Sequence, residues 1–151
     1  MPIESEHIFK NFAPLVAQSA RQWRRIIDRQ LQPLGLTEAT WLPLLHLSRG
    51  ASSPRQKDLA HALQLDSSSV VRLLDALQTA GFIDRAEGVD RRAKTVELTT
   101  AGRSTVQHVE LVVDQVRAKY LGDVPAQDLA TAFRVLQQLS DALAADLEPA
   151  E

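Results

Sequence analysis

The hydrophobic pattern of this chain changes period at Gly81. Before it, "DSSSVVRLLDALQTAG" spaces Val70, Leu73, Leu74 and Leu77 at i, i+3, i+4 and i+7, the apolar stripe of an α-helix. After it, Phe82 and Ile83 open an extended run, and "KTVEL" alternates Thr95 and Glu97 against Val96 and Leu98, the two-residue period of a half-buried strand. Gly81 is the helix stop, and the loop from Gly88 to Arg92 joins the two strands as a hairpin. A two-stranded ribbon is not stable alone, so helix and ribbon must bury their apolar faces against elements elsewhere in the chain.

Those elements are legible upstream. Asp66 or Ser67 caps the helix just described. Before it, Ser53 can cap a helix with Pro54 at its first position, and "RQKDLAHALQL" buries Leu59, Ala60 and Leu63. Two short helices joined by a three- or four-residue turn make a helix-turn-helix, and the hairpin is a wing attached to it. An earlier helix has Thr37 as N-cap, Glu38 in its first turn, Trp41, Leu44, Leu45 and Leu47 on its apolar side, and Gly50 as its stop. Pro43 falls in its second turn, where some irregularity is expected.

The ends of the chain read as long helices. Phe9, Phe12, Val16, Trp23, Ile26, Ile27 and Leu31 recur at helical steps from roughly residue 6 to 33, with a kink or late start at Pro14. Thr99 or Thr100 caps a helix to about Tyr120, with Val106, Val109, Val113 and Val116 on one face. Pro125 begins the last helix, where Leu129, Leu136 and Leu143 recur every seven residues, joined by Phe133, Leu139 and Leu147. A seam this long needs a partner surface. The fold class is thus mostly α with a small β-hairpin wing: a winged helix-turn-helix over 37–103, with helices at the two ends, 1–36 and 104–151, whose apolar faces need a partner surface.

Charge and composition narrow the function. Residues 49–103 carry nine basic and seven acidic groups, and residues 104–151 carry three and eight. A polyanion would therefore meet the middle of the chain. There is no cysteine, which excludes disulfides, thiolate chemistry and cysteine-based redox sensing. No secretory pattern or membrane span is visible, so a cytoplasmic protein is expected. His7, His46, His61 and His108 fall in different helices without metal-ligand spacing, and no nucleophile or phosphate-loop motif appears. No enzyme, cofactor or metal site is expected.

The residues that can meet DNA lie on the helix-turn-helix and the wing. Ser67, Ser68 and Ser69 open the second helix of the pair, where short hydroxyls and the helix dipole suit phosphates and bases. Arg72, one turn on, can offer a bidentate pair to guanine. Arg55, Gln56 and Lys57 at the start of the preceding helix are placed to touch the DNA backbone. Taken alone, the serines also fit a solvated cap. In the wing, Asp90 and Arg92 are two apart and share a side of an extended segment, so the carboxylate can orient the guanidinium for a narrow minor groove. Arg91 points to phosphate or solvent, and Lys94 adds charge at the base of the ribbon. The plain alternative for Asp90 and Arg92 is a surface ion pair, worth at most ~1 kcal/mol.

"LDALQTAGFIDRAEGVDRRAKTVELTTAG" resembles the recognition-helix end and wing of the MarR family of bacterial transcription regulators, whose Asp-x-Arg-(five residues)-Leu-Thr pattern is met by Asp90, Arg92, Leu98 and Thr99. "WRRIIDRQLQPLGLTEATW" and "DRRAK" are similar to the SlyA-like subgroup. The resemblance runs from about Phe12 to Leu147. It implies a homodimer held by the terminal helices, two winged lobes on pseudopalindromic double-stranded DNA, and a pocket between dimer base and lobe for a small aromatic carboxylate such as salicylate. By position, Arg92 is implied as the minor-groove arginine and Arg72 as the recognition-helix arginine. Arg24 and Trp41 are implied as carboxylate partner and aromatic wall of the pocket. Two plainer roles stand beside the last pair: Trp41 as core, and Arg24 as ion-pair partner of an acidic neighbour such as Asp28, four residues on.

A second class of function fits the same fold. Winged helices also serve as protein-interaction scaffolds without specific DNA binding. Such a scaffold needs no aligned Arg92, and its second helix is commonly blocked or acidic, which the Ser67–Arg72 face is not.

Overall fold

A computed structural model of the chain describes residues 2–50, 54–87 and 94–147. The first helix, α1 (Pro2–Leu31), starts earlier than residue 6 and runs through Pro14 without ending. A 3₁₀ turn, Gln32–Leu34, follows and closes on Gly35 at φ +73, whose N–H donates to Gln32 at 2.9 Å. This left-handed position suits glycine.

Helix α2 (Glu38–Arg49) carries Pro43 in its interior and buries Trp41, Leu44, Leu45 and Leu47. Thr37 is its N-cap, but the Thr37 side chain makes no capping bond; its hydroxyl faces that of Thr40 at 3.4 Å instead. Gly50 ends the helix in extended conformation, so this stop does not use glycine's left-handed freedom.

Helix α3 (Gln56–Ala62) is shorter than expected. Pro54 is not its first residue. Arg55 is the N-cap, and the chain ahead of it is extended: the Pro54 carbonyl accepts from Val96 N–H at 3.0 Å, and Arg55 bridges Thr95. The edge of the wing therefore gains a short third rung, and the chain turns helical only afterwards. Ser53 lies outside the described residues. The turn to α4 (Ser67–Thr79) passes Gln64 at φ 54, with Leu65 N–H donating to Ala60 at 2.9 Å. That six-to-one bond is a Schellman closure, made here with a glutamine where glycine is usual.

Strands β1 (Ile83–Glu87) and β2 (Lys94–Leu98) pair antiparallel, Ile83 opposite Leu98 and Glu87 opposite Lys94. Gly81 stands at φ +83, and Phe82 N–H closes onto Leu77 at 3.0 Å, so the change of period coincides with a second Schellman closure. The core of the lobe joins Leu44 and Leu47 of α2, Leu59 and Ala60 of α3, Val70, Leu74 and Leu77 of α4, and Ile83 and Val96 of the strands. Each such aliphatic side chain is worth about 1.5–3 kcal/mol of transfer free energy when fully buried.

Helix α5 (Thr100–Leu121) starts at the exit of β2. Thr99 is its cap: the hydroxyl accepts from Gly102 N–H at 3.0 Å and donates to the Gly81 carbonyl at 2.6 Å. A Cβ on Gly102 would stand 2.0 Å from the Phe82 carbonyl oxygen, so "TTAG" ends in the one residue that lets α5 begin against the end of α4. Helix α6 spans Ala126–Leu147, with Pro125 outside it as cap residue rather than first turn.

The chain divides into two compact units, Met1–Asp114 and Gln115–Glu151. In the first, α1 exposes Ile8, Leu15 and Phe9, the last to 86%. In the second, α6 buries none of its residues and exposes Leu129, Phe133, Leu136, Leu143 and Leu147. No helix among the described residues is long and apolar enough to cross a membrane.

Candidate nucleic-acid interface

Helix α4 starts on a carboxylate. Asp66 accepts the Ser69 N–H at 2.6 Å and the hydroxyls of Ser68 and Ser69 at 2.9 and 3.1 Å. The backbone bond from Ser69, then the two hydroxyls, then the charge of Arg72 hold the Asp66 carboxyl below its ordinary range. The hydroxyls of Ser68 and Ser69 are thus not free donors. Each spends its one hydrogen on Asp66 and keeps lone pairs for other partners. Ser67 and Ser68 are exposed, Ser69 is half-buried, and Arg72 is exposed one turn further along.

At α3, the Arg55 guanidinium is committed to Asp58, with Nε and Nη2 at 2.8 and 3.3 Å from its two oxygens. That contact raises the Arg55 pKa and lowers the Asp58 pKa. The i, i+3 spacing of the two residues was the available signal. Lys57 is exposed; Gln56 is half-buried, its Oε1 enclosed without a hydrogen-bond partner among the described residues. Lys94 is exposed at the start of β2. Asp90, Arg91 and Arg92 lie outside the described residues.

One further tie joins the wing to α4. Arg85 of β1 donates from Nε to Gln78 Oε1 at 2.7 Å and from Nη2 to Asp75, both on α4. Its side chain is 19% exposed. The signal was its parity: Arg85 shares a strand side with buried Ile83, where an arginine needs a partner. The clamp fixes the base of the wing to the outer side of the helix that presents Arg72.

Arg24 and Trp41 fall near a polar depression of about 590 Å³, lined by Arg21, Arg24, Arg25 and Asp28 of α1 and by Glu38 of α2. Arg24 Nε pairs with Glu38 at 3.1 Å, rather than with Asp28. Trp41 is buried, only 1% exposed, with its indole N–H directed at Asp28 over 3.4 Å. It stands behind the depression and does not line it. Among the described residues no three His, Cys, Asp or Glu side chains cluster as metal ligands.

The arrangement has known counterparts. The family model of the MarR family matches residues 34–93. The crystal structure of the transcriptional regulator PA3341 is 36% identical and superposes with a TM-score of 0.82, over 89% of this chain and 98% of that one. MepR of S. aureus, solved in complex with DNA, has the same fold at 22% identity and a TM-score of 0.77, over 87% and 97% of the two chains. CouR of Rhodococcus jostii RHA1, solved bound to p-coumaroyl-CoA, has it at 23% identity and a TM-score of 0.72, over 95% and 96%. A winged helix-turn-helix with this order of elements, matched over nearly its whole length by a regulator above 30% identity, places the chain in the MarR family of transcriptional regulators.

Proposed function

We propose that the protein acts as a homodimer that binds pseudopalindromic promoter DNA sequence-specifically, and that a small aromatic carboxylate weakens that binding. The observation that carries the reading is the α4 face: Ser67, Ser68 and Arg72 exposed together at the start of the helix, with the wing clamped beside it by Arg85. In this reading α4 enters the major groove, Arg72 and the serines meet base edges, and Arg55, Gln56 and Lys57 lie along the backbone. Asp90, Arg91, Arg92 and Lys94 form the wing contact, with Arg92 in the minor groove.

The dimerisation regions are residues 1–36 and 104–151, and the DNA-binding lobe is 37–103. Support comes from the exposed apolar positions of α1 and α6; large apolar surfaces on a soluble chain mark association sites. Arg24 receives the effector's carboxylate, and Trp41, through Asp28, backs the depression. "WRRIIDRQLQPLGLTEATW" and "DRRAK" favour the SlyA-like subgroup. MepR in complex with DNA and CouR with a bound aromatic thioester lend the fold two precedents.

The test is footprinting of promoter DNA taken from the protein's own genomic neighbourhood, with and without salicylate. Protection of two half-sites about 10 base pairs apart, or a small multiple of that, shrinking with salicylate, is the expected result. Uniform protection of any sequence favours a scaffold instead.

A further inference from the structure

The depression beside α1 carries its own carboxylate. Glu38 reaches Arg24 from the first turn of α2, and both side chains are about half exposed, at 48% and 43%. Arg21 and Arg25, one turn apart on α1, line the same depression and form no ion pair among the described residues. Like charges at that spacing repel. The other acid of the depression, Asp28, faces the Trp41 indole. Three guanidiniums thus share two carboxylates, and each carboxylate is half of a tie between α1 and α2.

We propose that Glu38 is a built-in competitor for the effector: its carboxylate occupies the place on Arg24 that a ligand carboxylate takes, and the ligand binds by displacing it. The inference rests on the effector reading given above and adds what the ligand must displace. An exposed ion pair is weak, so Glu38 yields to a ligand carboxylate that also draws on Arg21 and Arg25. Displacement has a consequence for α2. Among the described residues, two polar side-chain ties join α2 to α1; displacement removes Arg24–Glu38 and leaves Trp41–Asp28. Helix α2 leads into the helix-turn-helix, so occupancy of the depression and the placement of the DNA-binding lobe become linked, and the linkage is reciprocal.

The experiment is calorimetric titration of the full chain with sodium salicylate at fixed pH and salt, for the parent protein, Glu38→Gln and Arg24→Ala. Salicylamide, which lacks the carboxylate, is the control ligand. Glu38→Gln keeps shape on an exposed site, and circular dichroism checks its fold. Glu38→Asp, with a shorter reach, serves as second variant. Glu38→Gln should bind salicylate about two- to fivefold more tightly, the upper part of what an exposed ion pair carries. Glu38→Asp should move the same way, Arg24→Ala should lose binding, and salicylamide should be unaffected. Equal affinity of parent and Glu38→Gln overturns the competitor role and leaves the effector reading standing. An equal gain for salicylamide also overturns it, since no carboxylate is then being exchanged. If neither parent nor Glu38→Gln binds salicylate, the effector reading falls, and the competitor with it.

Discussion

The Thr99 hydroxyl donates to the Gly81 carbonyl at 2.6 Å, across the wing that separates the two residues in sequence. The same oxygen accepts from Gly102 N–H at 3.0 Å. One side chain therefore closes the end of α4, the exit of β2 and the start of α5. Thr99→Ala leaves the Gly102 N–H and the Gly81 carbonyl without this partner and should cost about 1–2 kcal/mol. Thr99→Ser keeps both bonds and should cost much less. Urea unfolding followed by circular dichroism measures the difference; equal losses for both variants would mean that the methyl group, not the hydroxyl, matters.

Asp66 gives the α4 cap a pH signature. Its folded-state pKa is lowered by the Ser69 N–H, by the hydroxyls of Ser68 and Ser69 and by Arg72. A depressed carboxyl contributes stability that is present above its unfolded pKa and is lost as pH falls through the folded value. The loss should therefore begin below about pH 4, the unperturbed range of an aspartate, and continue downward. Asp66→Asn retains a capping oxygen without the titrating charge. The drop in urea midpoint between pH 5 and pH 3 should be smaller in this variant than in the parent. An unchanged drop would assign the acid sensitivity to other carboxylates.

Much of this molecule was legible because its punctuation is local. Gly81 divides two hydrophobic periods, and the structure puts it at φ +83 between a helix and a strand. What escaped was non-local or depended on a choice between neighbours. Pro54 fits the first turn of a helix, yet its carbonyl is taken by Val96 forty-two residues on, and that tertiary bond moves the helix start to Gln56. Nothing local in "FIDRAE" shows the partners of Arg85, because Asp75 and Gln78 lie on α4. At the candidate site, Ser68 and Ser69 were found as residues but not as chemistry, because their hydroxyl orientation is set by Asp66. Glu38 rather than Asp28 became the partner of Arg24 because the close approach of α1 and α2 outweighs the i, i+4 spacing.

The exposed leucines of α6 should hold an obligate dimer. Leu136 and Leu143 are 39% and 53% exposed in the single chain, and interfaces built from such seams are usually permanent. Replacing both with Glu should leave aggregated or unfolded protein. Sedimentation showing a well-folded monomer of normal helicity would place the interface elsewhere.

In the wing, the sign of one mutant separates two ideas. If Asp90 orients Arg92, Asp90→Ala weakens DNA binding, by less than the roughly 1–3 kcal/mol expected for Arg92→Ala. If Asp90 is only a negative charge beside a polyanion, Asp90→Ala tightens binding. Fluorescence anisotropy at moderate salt, on a site with A·T-rich flanks where the minor groove is narrow, decides between them.

The central claim is that α4 reads sequence. The most direct measurement is the affinity ratio between a footprinted site and a scrambled duplex of equal length, across a salt series, for the parent and Arg72→Ala. Affinity for both duplexes should fall steeply with salt as counterions are released. The parent should prefer its site by at least about 10³-fold, and Arg72→Ala should lower that ratio by roughly 1–3 kcal/mol while changing scrambled-DNA binding far less. A parent protein that binds both duplexes equally, or an Arg72→Ala ratio equal to the parent's, would contradict the account.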